Sequence, residues 1–186
     1  MKKRKSVRNY KRGVKIEEEK LLKILDSARI APSSCNTQPW HIVLVRDEKI
    51  KEELSKCALK GTRINKWMVE ADLVAVLCGK PHPFLHRGAK LLDRDCHKLD
   101  VAIAGEHMVL TAAELGIGSC WIGWFSEKKV RKLLKIPSGV SVIAMITFGY
   151  PEEYDLMEER DFSMFRKEVE EIVSTNFYEN KGMKFE

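Results

Sequence analysis

Two short stretches of this chain concentrate side chains that can act on a ligand. The first, Arg4-Lys5-Ser6-Val7-Arg8, places two guanidiniums, an ammonium and a hydroxyl within five residues. Guanidinium forks donate hydrogen bonds in pairs and a serine adds a short neutral donor, so the set suits a phosphate. A solvated basic tail is the plain alternative, because basic N-termini are common. A nucleic-acid arm is a third, although no aromatic platform or recognised nucleic-acid motif accompanies it. The second stretch, Ala31-Pro32-Ser33-Ser34-Cys35-Asn36-Thr37-Gln38-Pro39-Trp40, is rich in hydroxyls and amides. Pro32 and Pro39 fix the backbone near its ends and leave between them side chains that both donate and accept. It is a poor core segment and a poor linker, and its composition suits holding something.

A third grouping is weaker. His82 and His86 are four apart and Cys96 and His97 lie nearby, but Pro83 sits between the two histidines and the ligand set is incomplete, so no metal is assigned. The five cysteines, Cys35, Cys57, Cys78, Cys96 and Cys120, are scattered, odd in number and without a C-x-x-C pair. Reduced thiols follow, and Cys35 and Cys120 read as small packing residues with nothing beside them in sequence to activate a thiol. The net charge of +6 is spread over alternating Lys and Glu, which describes a solvated surface and permits an anionic ligand without demanding nucleic acid. No apolar run approaches a membrane span, and Met1-Lys2-Lys3-Arg4-Lys5 has no apolar stretch behind it to make a signal peptide. Location in the cytoplasm is expected.

The elements that must position these residues read as follows. At 186 residues and 44% hydrophobic content, one domain spanning 1–186 with a substantial core is the default. Leu21, Ile24, Leu25 and Ala28 fall on one face of a helix from Ile16 to Ala31, where Pro32 must end it. His41 to Arg46 reads as a buried strand, followed by a helix capped by Asp47 and reaching about Cys57. Leu73 to Cys78 is a second strand. Residues 80–97 read as a loop or active-site lid with one short helix at most, in which Phe84 could stack on a ligand. Trp67 invites the same question, with ordinary packing the simpler answer.

From about Asp100 to Leu115 comes a helix with apolar residues on almost every side, and a helix of that kind is buried on more than one face. In so small a domain this predicts a subunit interface and a homodimer. Gly116 stops it, Ser119 to Ile122 is a short strand, Ser126 caps a helix to about Leu134, and Val140 to Tyr150 is the last strong strand. Phe162 to about Tyr178 is predicted as an amphipathic helix, with 179–186 a flexible tail. Helices alternating with buried strands imply one sheet covered on both faces.

Taken together, the two polar stretches and the helix between them make the chain up to Trp40 resemble the FMN-dependent nitroreductase family. Further matches are Leu115-Gly116-Ile117-Gly118-Ser119-Cys120-Trp121-Ile122-Gly123 and Phe148-Gly149-Tyr150-Pro151. The resemblance implies an α+β, three-layer fold with a central mixed, mostly antiparallel sheet flanked by helices, assembled as an intertwined homodimer. It implies FMN as cofactor, with Arg4 on its phosphate, Lys5 and Ser6 on the phosphate and ribityl chain, and Arg8 at the pyrimidine edge. Reduced flavin carries negative charge at that edge, so a cation there favours the reduced cofactor.

By the same resemblance, Pro32, Ser33, Ser34, Asn36 and Gln38 approach FMN from the partner subunit, and the backbone of Trp121, Ile122 and Gly123 faces flavin N5 and O4. Trp124 departs from the family pattern, where a small residue is frequent, and could narrow the acceptor range. Arg160 resembles a C-terminal phosphate-binding residue, and Asn65 and Lys66 fall near a flavin-contacting segment. The expected activity is a ping-pong transfer of hydride from NADH or NADPH, through flavin N5, to a nitroaromatic, a quinone or a related acceptor, with no dedicated acid or base. A flavin-binding sensor or carrier without turnover is the alternative from another class, and a basic nucleic-acid-binding protein a third.

Overall fold

The computed structural model describes residues 2–58, 65, 67–84, 95–152 and 166–178. The chain divides into two compact units, Lys3–Met157 and Glu158–Glu186, with the first two residues shared between them. In the larger unit the elements run α1 (Glu18–Arg29), β1 (Trp40–Val45), α2 (Glu48–Cys57), α3 (Trp67–Glu70), β2 (Leu73–Gly79), α4 (Cys96–Glu114), β3 (Gly118–Ile122), α5 (Glu127–Leu133) and β4 (Ser141–Gly149). The four strands form one sheet in the order β1-β2-β4-β3, every neighbouring pair antiparallel. The parallel component among the described residues is an isolated bridge between Ser6 and Ser119.

The sheet is central because its strands are apolar on both faces. All seven residues of β2 are buried. Alternation along the strand sends Leu73, Ala75 and Leu77 into a core shared with Ile24 and Ala28 of α1 and Val101, Ala104 and Met108 of α4. Val74, Val76 and Cys78 point the other way, into a core with Leu54 of α2, Met68 of α3 and Val130 of α5. Two helical layers therefore enclose the sheet, the expected three-layer α+β arrangement. No described helix is long and apolar enough to cross a membrane.

Most boundaries fall within a residue or two of expectation. The Asp47 carboxylate caps α2 as predicted, accepting from the Ile50 amide at 2.9 Å. Ser126 precedes α5 without a side-chain capping bond. Helix α4 begins at Cys96, four positions before the predicted start. Its first turns bury His97 and Asp100, polar residues that an apolar-periodicity criterion does not count. Close approach appears at Gly105, where an added Cβ would lie 2.5 Å from the Trp121 ring and 2.6 Å from Leu77. The absence of a side chain there lets α4 lie directly on the sheet.

The C-terminal unit departs from expectation. Of the helix predicted over 162–178, residues 162–165 lie outside the described residues, and the remainder forms a single turn, α6 (Val169–Ile172), before Val173 becomes extended. Val169 and Ile172 are exposed, so no apolar contact extends the turn beyond the Glu168–Glu171 capping box. The predicted tail, 179–186, lies outside the described residues.

Candidate functional site

Residues before α1 form an extended strap along β3 and the end of β4. The Val7 amide donates to the Ser119 carbonyl at 2.9 Å, the Lys11 amide to the Tyr150 carbonyl at 2.8 Å, and the Glu152 amide to the Asn9 carbonyl at 3.1 Å. Val7 is wholly buried and its side chain fills the space above Gly118. The Tyr10 hydroxyl lies 2.9 Å from the Val7 carbonyl, to which it donates, and 2.8 Å from the Thr147 hydroxyl. Trp67 packs 6.4 Å from the Tyr10 ring and is 9% exposed, the packing role expected of it.

With Val7 turned inward, extended geometry puts Arg4, Ser6 and Arg8 on one common side. The structure brings them to Cys120. Burial pushes that thiol up from its ordinary value, while Arg8, Ser6 and Arg4 act against the shift. The cations thus sit beside a cysteine for which no activating neighbour was expected. Burial outweighs them, and the thiol stays protonated at neutral pH. Lys5 is half-buried on the same strap.

Strand β3 carries the strap's partner residues directly into the Trp121-Ile122-Gly123 turn. Ile122 is held by pairing with Met145. Trp121 lies over Gly105, and its indole N–H donates to Glu106 at 3.1 Å. Gly123 is exposed and a Cβ built there meets nothing within 4 Å, so a flat group could approach this backbone closely. Trp124 beside it is 76% exposed.

The loop between α1 and β1 is locked by its own polar groups. Cys35, Asn36 and Gln38 all have positive φ, at 50°, 53° and 46°. Such left-handed geometry costs about 1 kcal/mol or more for a residue other than glycine, so the surroundings must enforce it. The Asn36 amide donates to the Ser33 carbonyl and the Thr37 amide to the Ser34 carbonyl, at 2.9 and 3.1 Å. The Gln38 amide donates to the Ser33 hydroxyl at 3.0 Å, and the Gln38 side chain reaches Asn36. The Ser34 amide and hydroxyl both donate to Asp100 Oδ1 on α4, at 3.1 and 3.0 Å. Pro32 is exposed and Pro39 is buried, its carbonyl accepting from the Lys80 amide at 2.8 Å.

Within the chain, then, Arg4, Ser6, Arg8 and the Trp121–Gly123 turn share the strap and β3. The bonds described for Ser33, Asn36 and Gln38 stay inside their own loop, and Ser34 ties that loop to α4 through Asp100. Arg160, Lys66 and His86 lie outside the described residues, as do 85–94 of the expected lid. Phe84 is 80% exposed, and His97 is buried on α4 against Gly79. Two cavities are lined by none of the predicted cofactor-binding residues. One, of about 560 Å³, opens among Arg12, Glu48 and Lys56, and the other, of about 320 Å³, among His41, Cys78 and Lys135.

The chain as a whole is similar to known proteins. The model of the nitroreductase family matches residues 1–150. The chain is 32% identical, over 167 residues spanning 86% of it and 84% of the other, to an Archaeoglobus fulgidus protein provisionally named NADH dehydrogenase/NAD(P)H nitroreductase. It is 29% identical, over 162 residues spanning 70% of it and 75% of the other, to a Helicobacter acinonychis protein named oxygen-insensitive NADPH nitroreductase. Among solved structures, an FMN-dependent nitroreductase from Clostridium difficile is similar with a TM-score of 0.76 at 32% identity, covering 95% of this chain and 97% of that one.

Proposed function

The chain belongs to the nitroreductase family, and from that premise we propose that it is an FMN-dependent oxidoreductase drawing electrons from NADH or NADPH. The observation that carries this is the corner where Arg4, Ser6 and Arg8 line one side of the strap at Cys120, on the strand that runs into an exposed, unobstructed Gly123. Its donor set fits the cofactor: guanidiniums and a hydroxyl for a phosphate, and bare backbone for a ring edge. FMN bound there would supply the two-electron chemistry, taking hydride at N5 and passing it in a ping-pong cycle to a nitroaromatic, a quinone or a related acceptor.

The chain's own residues hold and bias that group. Arg4 holds the phosphate, Lys5 and Ser6 the phosphate and ribityl chain, and Arg8 the pyrimidine edge, where its charge favours electron uptake. Trp121, whose indole N–H donates to Glu106, steadies the end of β3, and the backbone of Ile122 and Gly123 would face the ring edge. From the partner come Pro32, Ser33, Ser34, Asn36 and Gln38. The Ser33 hydroxyl accepts from the Gln38 amide and so keeps its proton to donate, while Asn36 and Gln38 present exposed amide groups. The homodimer this requires is supported by Leu99 and Ile103, 60% and 39% exposed on α4, whose other apolar residues are buried or half-buried. A cytoplasmic setting belongs to the same proposal, supported by five free cysteines.

Titration of the purified protein with FMN, followed by anaerobic mixing with NADH or NADPH, tests the reading. Saturable flavin binding and rapid bleaching are expected. R4A should weaken FMN binding by about tenfold or more, the worth of a charge-assisted hydrogen bond, and unchanged affinity would remove Arg4 from the site. Sedimentation should show a dimer.

A further inference from the structure

We propose that Asp100 is a positioning residue for the cofactor: its carboxylate clamps the 33–38 loop in the one shape that can serve the neighbouring subunit's flavin. The proposal rests on the flavin assignment above. It begins from a loop that should not hold its form unaided. Cys35, Asn36 and Gln38 occupy the left-handed region, and none is glycine. The backbone bonds within the loop close only its own turn, and every bond among them moves with it.

An external fixed point is needed, and Asp100 provides it. The residue is 4% exposed, on the second turn of a long helix packed against the sheet. One oxygen, Oδ1, receives both the Ser34 amide and the Ser34 hydroxyl. The other, Oδ2, is buried and meets no donor among the described residues. Two donors from one serine on a single carboxylate oxygen make a directional tie that fixes both the backbone and the side chain of Ser34. Ser34 immediately precedes the left-handed pair, so fixing its amide and hydroxyl sets where Asn36 and Gln38 emerge. A buried carboxyl group bonded twice to one serine is costly as a packing device and effective as a clamp.

The test compares D100A, D100N and D100E with the wild type, reading FMN affinity by fluorescence and, in the absence of flavin, amide hydrogen exchange. D100A is expected to raise exchange at 34–38 about tenfold while Leu73–Gly79 of β2 keeps its protection, and to weaken FMN binding at least tenfold. D100N retains an acceptor for Ser34 and is expected to stay within about threefold of wild type for FMN. A general loss of structure would raise exchange in β2 as well, and the Asn variant would share it. Folded D100A with unchanged FMN affinity overturns the proposal. Where D100A yields no folded protein, D100E decides: its longer arm displaces Ser34 and should weaken FMN about tenfold, and wild-type affinity overturns the proposal equally. A wild-type protein that takes up no FMN overturns the proposal through the flavin assignment, and the flavin-free exchange data then show whether the clamp itself stands.

Discussion

Replacing Gly118 with alanine tests whether the strap is held on β3 as closely as the site requires. A Cβ at 118 would lie 2.9 Å from Val7 Cγ2 and 3.0 Å from both Val7 Cβ and Cγ1. Contact between carbon atoms is most favourable at about 3.5–4.0 Å, so about 0.5–1 Å of separation must be found. Val7 cannot supply it by rotating, because one of the clashing atoms is its own Cβ, which moves only with the backbone. The strap itself must lift, and the bond from the Val7 amide to the Ser119 carbonyl, now 2.9 Å, would stretch to the edge of hydrogen-bond range. Overpacking together with that weakened bond amounts to about 1–3 kcal/mol, against a gain of a few tenths from the lower chain entropy of alanine. Denaturant unfolding of G118A should fall by that amount, and FMN affinity should fall with it as Arg4, Ser6 and Arg8 rise off β3. In a V7G background, which removes the Cβ together with both methyl groups, the same substitution has room, and its cost should drop to less than half. Additive losses in the V7G/G118A double variant would refute the reasoning, since independence would mean that the two residues do not press on each other.

Three further outcomes follow from the same structure. Y10F deprives the Val7 carbonyl and the Thr147 hydroxyl of a buried partner and should cost about 1–3 kcal/mol in urea unfolding; a change below 0.5 kcal/mol, roughly the level of a surface substitution, would show the strap is not held there. Lys51 is buried with its ammonium donating to the carbonyls of Val69 and Ala71 at 3.0 and 2.5 Å. Burial lowers its pKa, with Glu48 and Asp72 pulling back, and K51M should cost about 2–4 kcal/mol by leaving those carbonyls without a donor. Burial also pushes the Cys78 thiol up to about 11 from 9.0. Between those values the unfolded chain has lost its proton while the folded chain keeps it, so stability must fall as pH rises from 9 to 11, by at most about 2–3 kcal/mol. The C78A variant should lack that part of the decline, and parallel stability curves for the two proteins would contradict the assignment.

Strands β2 and β4 could be read from their apolar runs because burial on both faces leaves no other use for such residues. The start of α4 could not, since His97 and Asp100 look in sequence like the solvated end of a helix and are buried in the fold. The predicted C-terminal helix failed for the opposite reason: Val169, Ile172 and their neighbours have helical spacing, but the described turn meets no surface to bury them. At the site, Arg4, Ser6, Arg8, Ser33 and Ser34 were visible as donors. Their supports were not. Asp100 lies 66 positions from Ser34 and Thr147 lies 137 from Tyr10, and pairings of that range leave no periodic trace. Cys120 was read as inert packing because the cations beside it arrive from the other end of the chain.

Asp100 and Glu106 stand on the same helix, one fixing the loop proposed to serve a neighbouring subunit's flavin and the other bracing Trp121 beside the proposed site of its own chain. Six residues at 1.5 Å each set those anchors about 9 Å apart along the axis. In the proposed dimer helix α4 would work as a gauge block: the distance between two walls of different sites would be machined into one stiff part rather than negotiated between loops. Substitutions at exposed residues such as Trp124 or Phe84 would then leave that calibration alone, whereas any change that slides α4 would detune both proposed sites at once.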